Sequence, residues 1–396
     1  MPAAPIARRI LGLLLTALAG CGGGSGSTPS ATPTSPATAP VPAALQASAI
    51  PAVIVDSATV LFGPRAQLVN SAGATAAVAG VVVTAAIATG DPAATLSGAT
   101  AATSAAGLAV FGALRLHGPS GPYTLRFSSP GLPTLTTTDT IALLPARYLV
   151  LASTTVTTEP SAIRILPDGG ESTVIGAPGT PFSLPHYAAD GSRVVFTYGD
   201  ELRVWTPPST FTPLRDATFD IDGGGRFSAD GLWLYFVSQP AGSSFVFPYR
   251  MHPDGSGRER LTFDARDMDP HPDSVRLAYL TSTPVTDLIV RNMTTGATVT
   301  FPRAFDRPRW SPAGDRLAGF RGSWVLISTP TGVVVDSIHA PAGSTSFDDG
   351  GLLAWSSDAR YLLGRAAGRI GVTDLITKRW VALPVPGSYT QASWQR

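Results

Sequence analysis

One period dominates the C-terminal two thirds of the chain. Five segments join a turn to an apolar strand: His186-Tyr187-Ala188-Ala189-Asp190-Gly191 before Val194-Val195-Phe196, Arg226-Phe227-Ser228-Ala229-Asp230-Gly231 before Leu234-Tyr235-Phe236, Pro270-His271-Pro272-Asp273-Ser274 before Leu277-Ala278-Tyr279, Pro308-Arg309-Trp310-Ser311-Pro312-Ala313-Gly314 before Leu317-Ala318-Gly319-Phe320, and Ala354-Trp355-Ser356-Ser357-Asp358 before Tyr361-Leu362-Leu363. Their turn residues 190, 230, 273, 313 and 358 stand 40, 43, 40 and 45 apart. A second signal keeps the same period, with Phe219-Asp220, Phe263-Asp264, Phe305-Asp306 and Phe347-Asp348 at intervals of 44, 42 and 42. A unit of this size with short apolar strands buries its faces only against copies of itself, and it matches one four-stranded propeller blade.

The ends of the array complete the count. Gln391-Ala392-Ser393-Trp394 has the pattern of a first strand with nothing after it, and Arg147 to Ser153 that of a second strand with no first strand before it. Pairing the two makes a sixth blade and removes the open edges, which predicts six blades over residues 146–396. With 41 Gly and 36 Pro in 396 residues, long helices cannot dominate. The 44% hydrophobic content is enough for a large core, and a net charge of +1 argues against a non-specific nucleic-acid binder.

The repeat units resemble the WD40-like repeats of TolB-type propellers, whose pattern is close to Pro-x-Trp-Ser-Pro-Asp-Gly followed by an apolar strand. Residues 308 to 320 carry the best match, and Pro253-Asp254-Gly255-Ser256-Gly257 ahead of Arg260-Leu261-Thr262 matches the family's turn between its last two strands. The resemblance implies a rigid protein-interaction platform.

Residues 50–145 read as short strands broken by turns: Ala52 to Phe62, Val78 to Ala88, Gly107 to Phe111, Tyr123 to Ser128 and Leu135 to Leu144. Their Val, Ile, Thr and Phe content with Gly, Pro and Asp punctuation predicts a β-sandwich. Thr103 to Phe111 followed by Gly121-Pro122-Tyr123-Thr124-Leu125-Arg126-Phe127 resembles bacterial Ig-like domains of the adhesin and invasin type, which implies a spacer or an adhesive module. The expected fold class is all-β, an N-terminal Ig-like sandwich followed by a six-bladed TolB-like propeller.

Ahead of the sandwich the chain reads as an address. Arg8 and Arg9, the apolar run Ile10 to Leu18 and small residues after it form a secretory signal over residues 1–20, too short to span a bilayer. Leu18-Ala19-Gly20-Cys21 resembles the lipobox of bacterial lipoproteins. That resemblance implies cleavage before Cys21, lipidation of its thiol and, with Gly22 rather than Asp following, the outer membrane, facing periplasm or cell surface. The alternative is an ordinary secreted protein with a chance Cys. Residues 21–49 then form a tether of Gly, Ser, Thr, Pro and Ala. Cys21 is the only cysteine, which leaves no thiol chemistry for the folded part.

Scans for catalytic motifs find no Gly-x-Ser-x-Gly, no His-Glu-x-x-His and no P-loop. Asp220 to Gly225 imitates the start of a calcium loop, but Gly231 stands where a bidentate Glu belongs, so a blade-linking turn is the preferred reading. Trp310, Trp355 and Trp394 share one repeat position and read as packing between blades; Trp233 and Trp324 read as core. The blade connections carry Asp220, Asp222, Asp264, Asp267, Asp269, Asp306, Arg307, Asp348 and Asp349. Either each Asp accepts N–H bonds within its own turn, or together they line an acidic channel rim for a basic peptide, a cationic ligand or a cation. The candidate rim set is His186, Asp222, Asp269, His271, Asp306, Arg307, Arg309 and Asp349, and the two histidines share the alternatives of structural residue or metal ligand. No cofactor or resident metal is expected. The reading is a monomeric envelope lipoprotein, anchored to the membrane, binding an envelope protein or peptide and no nucleic acid; the alternative is a propeller lyase or hydrolase with a site in the channel.

Overall fold

The computed structural model describes residues 40–396 except 61–62, 154, 156–157, 217, 282–286, 303–304, 345, 348–352, 387–388 and 396. The signal, Cys21 and most of the tether lie outside the described residues, which contain strands, turns and no helix.

Strand alternation builds the N-terminal part. In Gly121–Ser128 the alternate residues Tyr123, Leu125 and Phe127 are buried while Pro122, Arg126 and their neighbours on the other face are more open. The six-stranded sheet runs Val53–Val55, Ile141–Leu144, Gly121–Ser128, Val82–Thr89 and Thr100–Ala102, with Leu135–Thr136 also on Gly121–Ser128. A three-stranded sheet of Ala44–Ser48, Arg65–Val69 and Leu108–Val110 and a hairpin-like pair of Thr95–Ser97 and Arg115–His117 share its core around Leu68, Phe111, Leu116 and Phe127. Ordered pairing thus begins at Ala44, inside the span read as tether: Leu45 is buried opposite Leu68, and this apolar contact fixes a segment whose composition otherwise reads as coil. Gly107 answers a steric need, because its φ is +71° and a Cβ there would lie 2.0 Å from the Ala76 carbonyl oxygen.

From Leu149 onward the described residues form six four-stranded antiparallel sheets. Their first strands are Phe182–Tyr187, Phe219–Phe227, Arg266–Pro270, Asp306–Trp310, Ala354–Trp355 and Gln391–Trp394. The last of these pairs with Leu149–Ala152, Leu149 opposite Trp394 and Val150 opposite Ser393, so one sheet is made from both ends of the array. Each first strand contacts that of the next sheet, and contact between Ala354–Trp355 and Gln391–Trp394 completes the cycle. The second strands, such as Val194–Tyr198 and Leu317–Arg321, are buried along almost their whole length because neighbouring sheets cover both faces, which explains their unbroken apolar runs. Trp310, Trp355 and Trp394 each fill a junction between sheets. Trp324 does not belong to the core: it starts the third strand of its sheet, 42% exposed, with its ring edge-on to His339.

The recurring turns share one mechanism. Asp190, Asp230, Asp273 and Asp358 each accept a backbone N–H two residues on, and the residue after the turn position is left-handed at Gly191, Gly231, Ser274, Gly314 and Ala359. Pro40–Arg396 is one compact unit. Val53, Ala142 and Leu144, on the outer face of the sandwich, pack with Leu149, Tyr361 and Leu363, and the Tyr361 hydroxyl donates to the Leu143 carbonyl at 3.3 Å.

Candidate functional site

The first strands carry a shared distortion. Pairing slips within Phe182–Tyr187, Phe219–Phe227, Arg266–Pro270 and Asp306–Trp310, and the residue at the slip is left-handed in each case: Leu184, Gly224, Asp267 and Arg307. Three of the four are not glycine, and each such backbone costs about 1 kcal/mol or more. A bulge re-aims the side chains that follow it. Two residues on, His186, Arg226, Asp269 and Arg309 therefore occupy one level of the ring of first strands.

That level is used for joining sheets. Asp269 Oδ2 accepts the Trp310 N–H of the next sheet at 2.8 Å, Ser393 Oγ accepts the Tyr187 N–H at 3.2 Å, and Trp355 Nε1 donates to the Arg309 carbonyl at 3.0 Å. His186, Asp269 and Arg309 are all buried. His271, also buried, has Nε2 2.9 Å from the Gly314 carbonyl and Nδ1 2.9 Å from both the Asp273 N–H and the Asp273 Oδ1, and so ties two neighbouring turns together. It lies in the turn after its strand, not at the level of His186.

The rim expected from the blade connections is thus divided. Asp222 is buried beneath Arg258, whose two terminal nitrogens reach its two oxygens at 2.9 and 2.5 Å, with Ser238 Oγ on Oδ1 at 2.5 Å. Arg258 itself lies over the rings of Phe219 and Phe236, at 4.2 and 4.9 Å. Asp269 is equally enclosed, and neither carboxylate faces solvent. Asp306 is exposed and Arg307 half-buried, its guanidinium 4.0 Å from Asp267 of the preceding sheet. Asp348 and Asp349 lie outside the described residues. Asp220 to Gly225 form no linking turn; they are part of the strand Phe219–Phe227, and no group of three or more possible metal ligands occurs among the described residues.

What opens on this end of the ring is a cleft of about 350 Å³ between the sheets that start at Phe182 and Phe219, lined by Asp200, Glu201, Arg203, Arg215, Asp216 and Asp220, with the enclosed Asp222 beneath. Glu201 pairs with Arg203 at 2.6 Å. The hydroxyl and N–H of Thr218 hold the Asp216 carboxyl below the usual carboxylate range. Asp200, Glu201, Arg203, Arg215 and Asp216 escaped the sequence reading. The signal was available: Gly199-Asp200 is a two-residue hairpin between the second and third strands, and antiparallel order puts that hairpin at the same end as Phe219-Asp220.

The sequence matches no protein-family model and no curated protein. Among solved structures it is similar to a chain of a nidogen/laminin complex, at 10% identity over 63% of this chain and 98% of that one, TM-score 0.50. It is also similar to TolB from Acinetobacter baumannii, at 13% identity over 70% of this chain and 80% of that one, TM-score 0.50. Both neighbours are β-propellers, and at these identities the likeness establishes the fold: an all-β chain with a TolB-like propeller.

Proposed function

We propose that the chain is an envelope lipoprotein, held by Cys21 and a tether, in which an Ig-like sandwich carries a six-bladed propeller that acts as a protein-interaction platform. The propeller fold is compatible with such a role. The observation that carries the reading is the use made of the buried polar groups: Asp222 is taken up by Arg258, Asp269 by the Trp310 N–H, and His271 by Gly314 and Asp273. Asp269 and His271 join neighbouring sheets and Asp222 is neutralised within its own, so the charge left in solvent lies in surface clefts, where recognition of a macromolecule can use it. The close packing of Val53, Ala142 and Leu144 on Leu149 and Tyr361 supports a sandwich that sets the propeller's distance and orientation.

The test is capture from envelope extract by the lipidated full chain, followed by reconstitution of each captured protein with purified components. A partner that binds the purified chain with Kd in the micromolar range or tighter supports the platform. Turnover of an envelope substrate by the chain, lost on changing His186 or Arg309, would replace it with the enzyme reading.

A further inference from the structure

The loops joining second to third strands differ sharply in length around the ring. They are two residues long at 199–200, 322–323 and 367–368, the minimum for a hairpin, but nine at 153–161 and six at both 281–286 and 241–246. The loop 241–246 carries Phe245, 70% exposed, and Val246, 55% exposed. Neither is needed to turn the chain, and leaving both in water is unfavourable. The loop is also held in place: Ala241 N–H donates to the Thr218 carbonyl at 2.9 Å, Gly242 N–H to Asp220 Oδ2 at 3.1 Å, and Phe245 N–H to Ser243 Oγ at 3.1 Å. Phe245, Val246 and Phe247 line a groove of about 810 Å³ together with Leu261 and Phe263, and Arg260 and Asp264 also border it.

The bond from Gly242 to Asp220 joins this apolar groove to the cleft described above, since Asp220 lines that cleft. There Asp200, Glu201, Asp216 and Asp220 outnumber Arg203 and Arg215, the enclosed Asp222 being already paired with Arg258. The two recesses are joined through this loop, one of them mainly apolar, its Arg260 and Asp264 of opposite sign, and the other with an excess of negative charge.

We infer that this loop is the docking site for an extended segment of a partner protein that places an aromatic or aliphatic side chain against Phe245 and Val246 and an Arg or Lys side chain toward Asp200 and Asp220. Charge complementarity selects that occupant over an acidic peptide or an anionic lipid surface, both of which the cleft repels. A loop already fixed by hydrogen bonds loses little freedom on binding. The inference rests on the platform reading and names the chemistry of its partner.

The probe is a phage-displayed library of random twelve-residue peptides, panned against the full chain and against its Phe245→Ser/Val246→Ser and Asp200→Asn/Asp220→Asn forms. Asn at 220 keeps an oxygen for the Gly242 N–H, and equal melting temperatures show that each variant is folded. Enriched peptides should combine one apolar anchor with a basic residue. Their affinity should fall about thirtyfold in the Phe245/Val246 variant, and in the Asp200/Asp220 variant it should lose most of its salt dependence. Peptides whose binding survives both variants but is lost on changing Asp306 or Arg307 overturn this site and leave the platform standing; no enrichment at all counts against both. Loop-dependent self-association in sedimentation, or loop-dependent binding to phosphatidylglycerol vesicles, also overturns the inference.

Discussion

A cross-link between the two ends of the array measures how far its stability depends on their pairing. Val150 and Ser393 face each other in the antiparallel ladder of Leu149–Ala152 and Gln391–Trp394. They flank the Gln395 N–H to Tyr148 O bond by two positions, so they form a hydrogen-bonded pair, with Cα atoms about 5.5 Å apart. That is the favoured spacing for a disulfide. In a Cys21→Ala background, Val150→Cys/Ser393→Cys leaves two thiols, and their bond closes a loop of 244 residues, counted inclusively between the paired positions. The chain-entropy relation then gives a ceiling of about 5.5 kcal/mol. A domain of this size shifts by roughly 2–4 °C per kcal/mol, so even a third of the ceiling is a readable change. Comparing oxidised with reduced forms of the same variant cancels the cost of losing the Ser393 acceptor. The assay is thermal unfolding with and without reductant, with thiol titration to count closed bonds. The off-register control Val150→Cys/Ala392→Cys should stay reduced, since a one-residue slip turns the second thiol to the opposite face. Equal oxidation of both pairs, or an oxidised form that melts no higher than the reduced one, would refute the reasoning.

Trp394→Ala should cost about 3–5 kcal/mol in denaturant unfolding, because Trp394 is buried among Tyr361, Leu363 and Leu149, whereas exposed Trp324→Ala should cost under about 2 kcal/mol. Asp269→Ala strands the buried Trp310 N–H and should destabilise by about 1–3 kcal/mol, while Asp306→Ala at an exposed position should stay within about 0.5 kcal/mol. Burial opposes ionisation of Asp273, but bonds from the Arg276 N–H, the Arg276 side chain and the Val275 N–H outweigh it and hold the carboxyl at about 2. Its contribution is therefore present above the unfolded value of about 3.9 and is lost as pH falls through about 2, so Asp273→Asn should flatten stability against pH across that window. Cys21→Ala should move the protein out of the membrane fraction or leave its signal uncut; unchanged processing and retention would remove the lipid anchor from the proposal.

Legibility in the sequence followed how local each cause is. The turns could be read because an Asp that accepts the N–H two residues on and a left-handed residue after it are neighbours in the chain, and three of those five left-handed positions are glycine. The Trp register could be read because Trp310, Trp355 and Trp394 fill junctions between sheets from the same strand position. The fate of each carboxylate could not, since Arg258 lies 36 residues beyond Asp222 and the Trp310 N–H lies 41 beyond Asp269. Their Asp-rich stretches look the same as those that stay in water. The bulges were hidden for a related reason: Leu184, Asp267 and Arg307 are held left-handed by the packed ring, so no local preference announces them. In the sandwich, Ala44–Ser48 and Arg65–Val69 mix polar and small residues and become strands by pairing with each other. Loop length is the intermediate case. Once the repeats are aligned, 153–161, 241–246 and 281–286 are long beside the two-residue hairpins at 199–200, 322–323 and 367–368, and in 241–246 the exposed Phe245 and Val246 are a cost that folding does not require. Such a position is where selection for binding rather than for stability can be seen in a single sequence, before any partner is known.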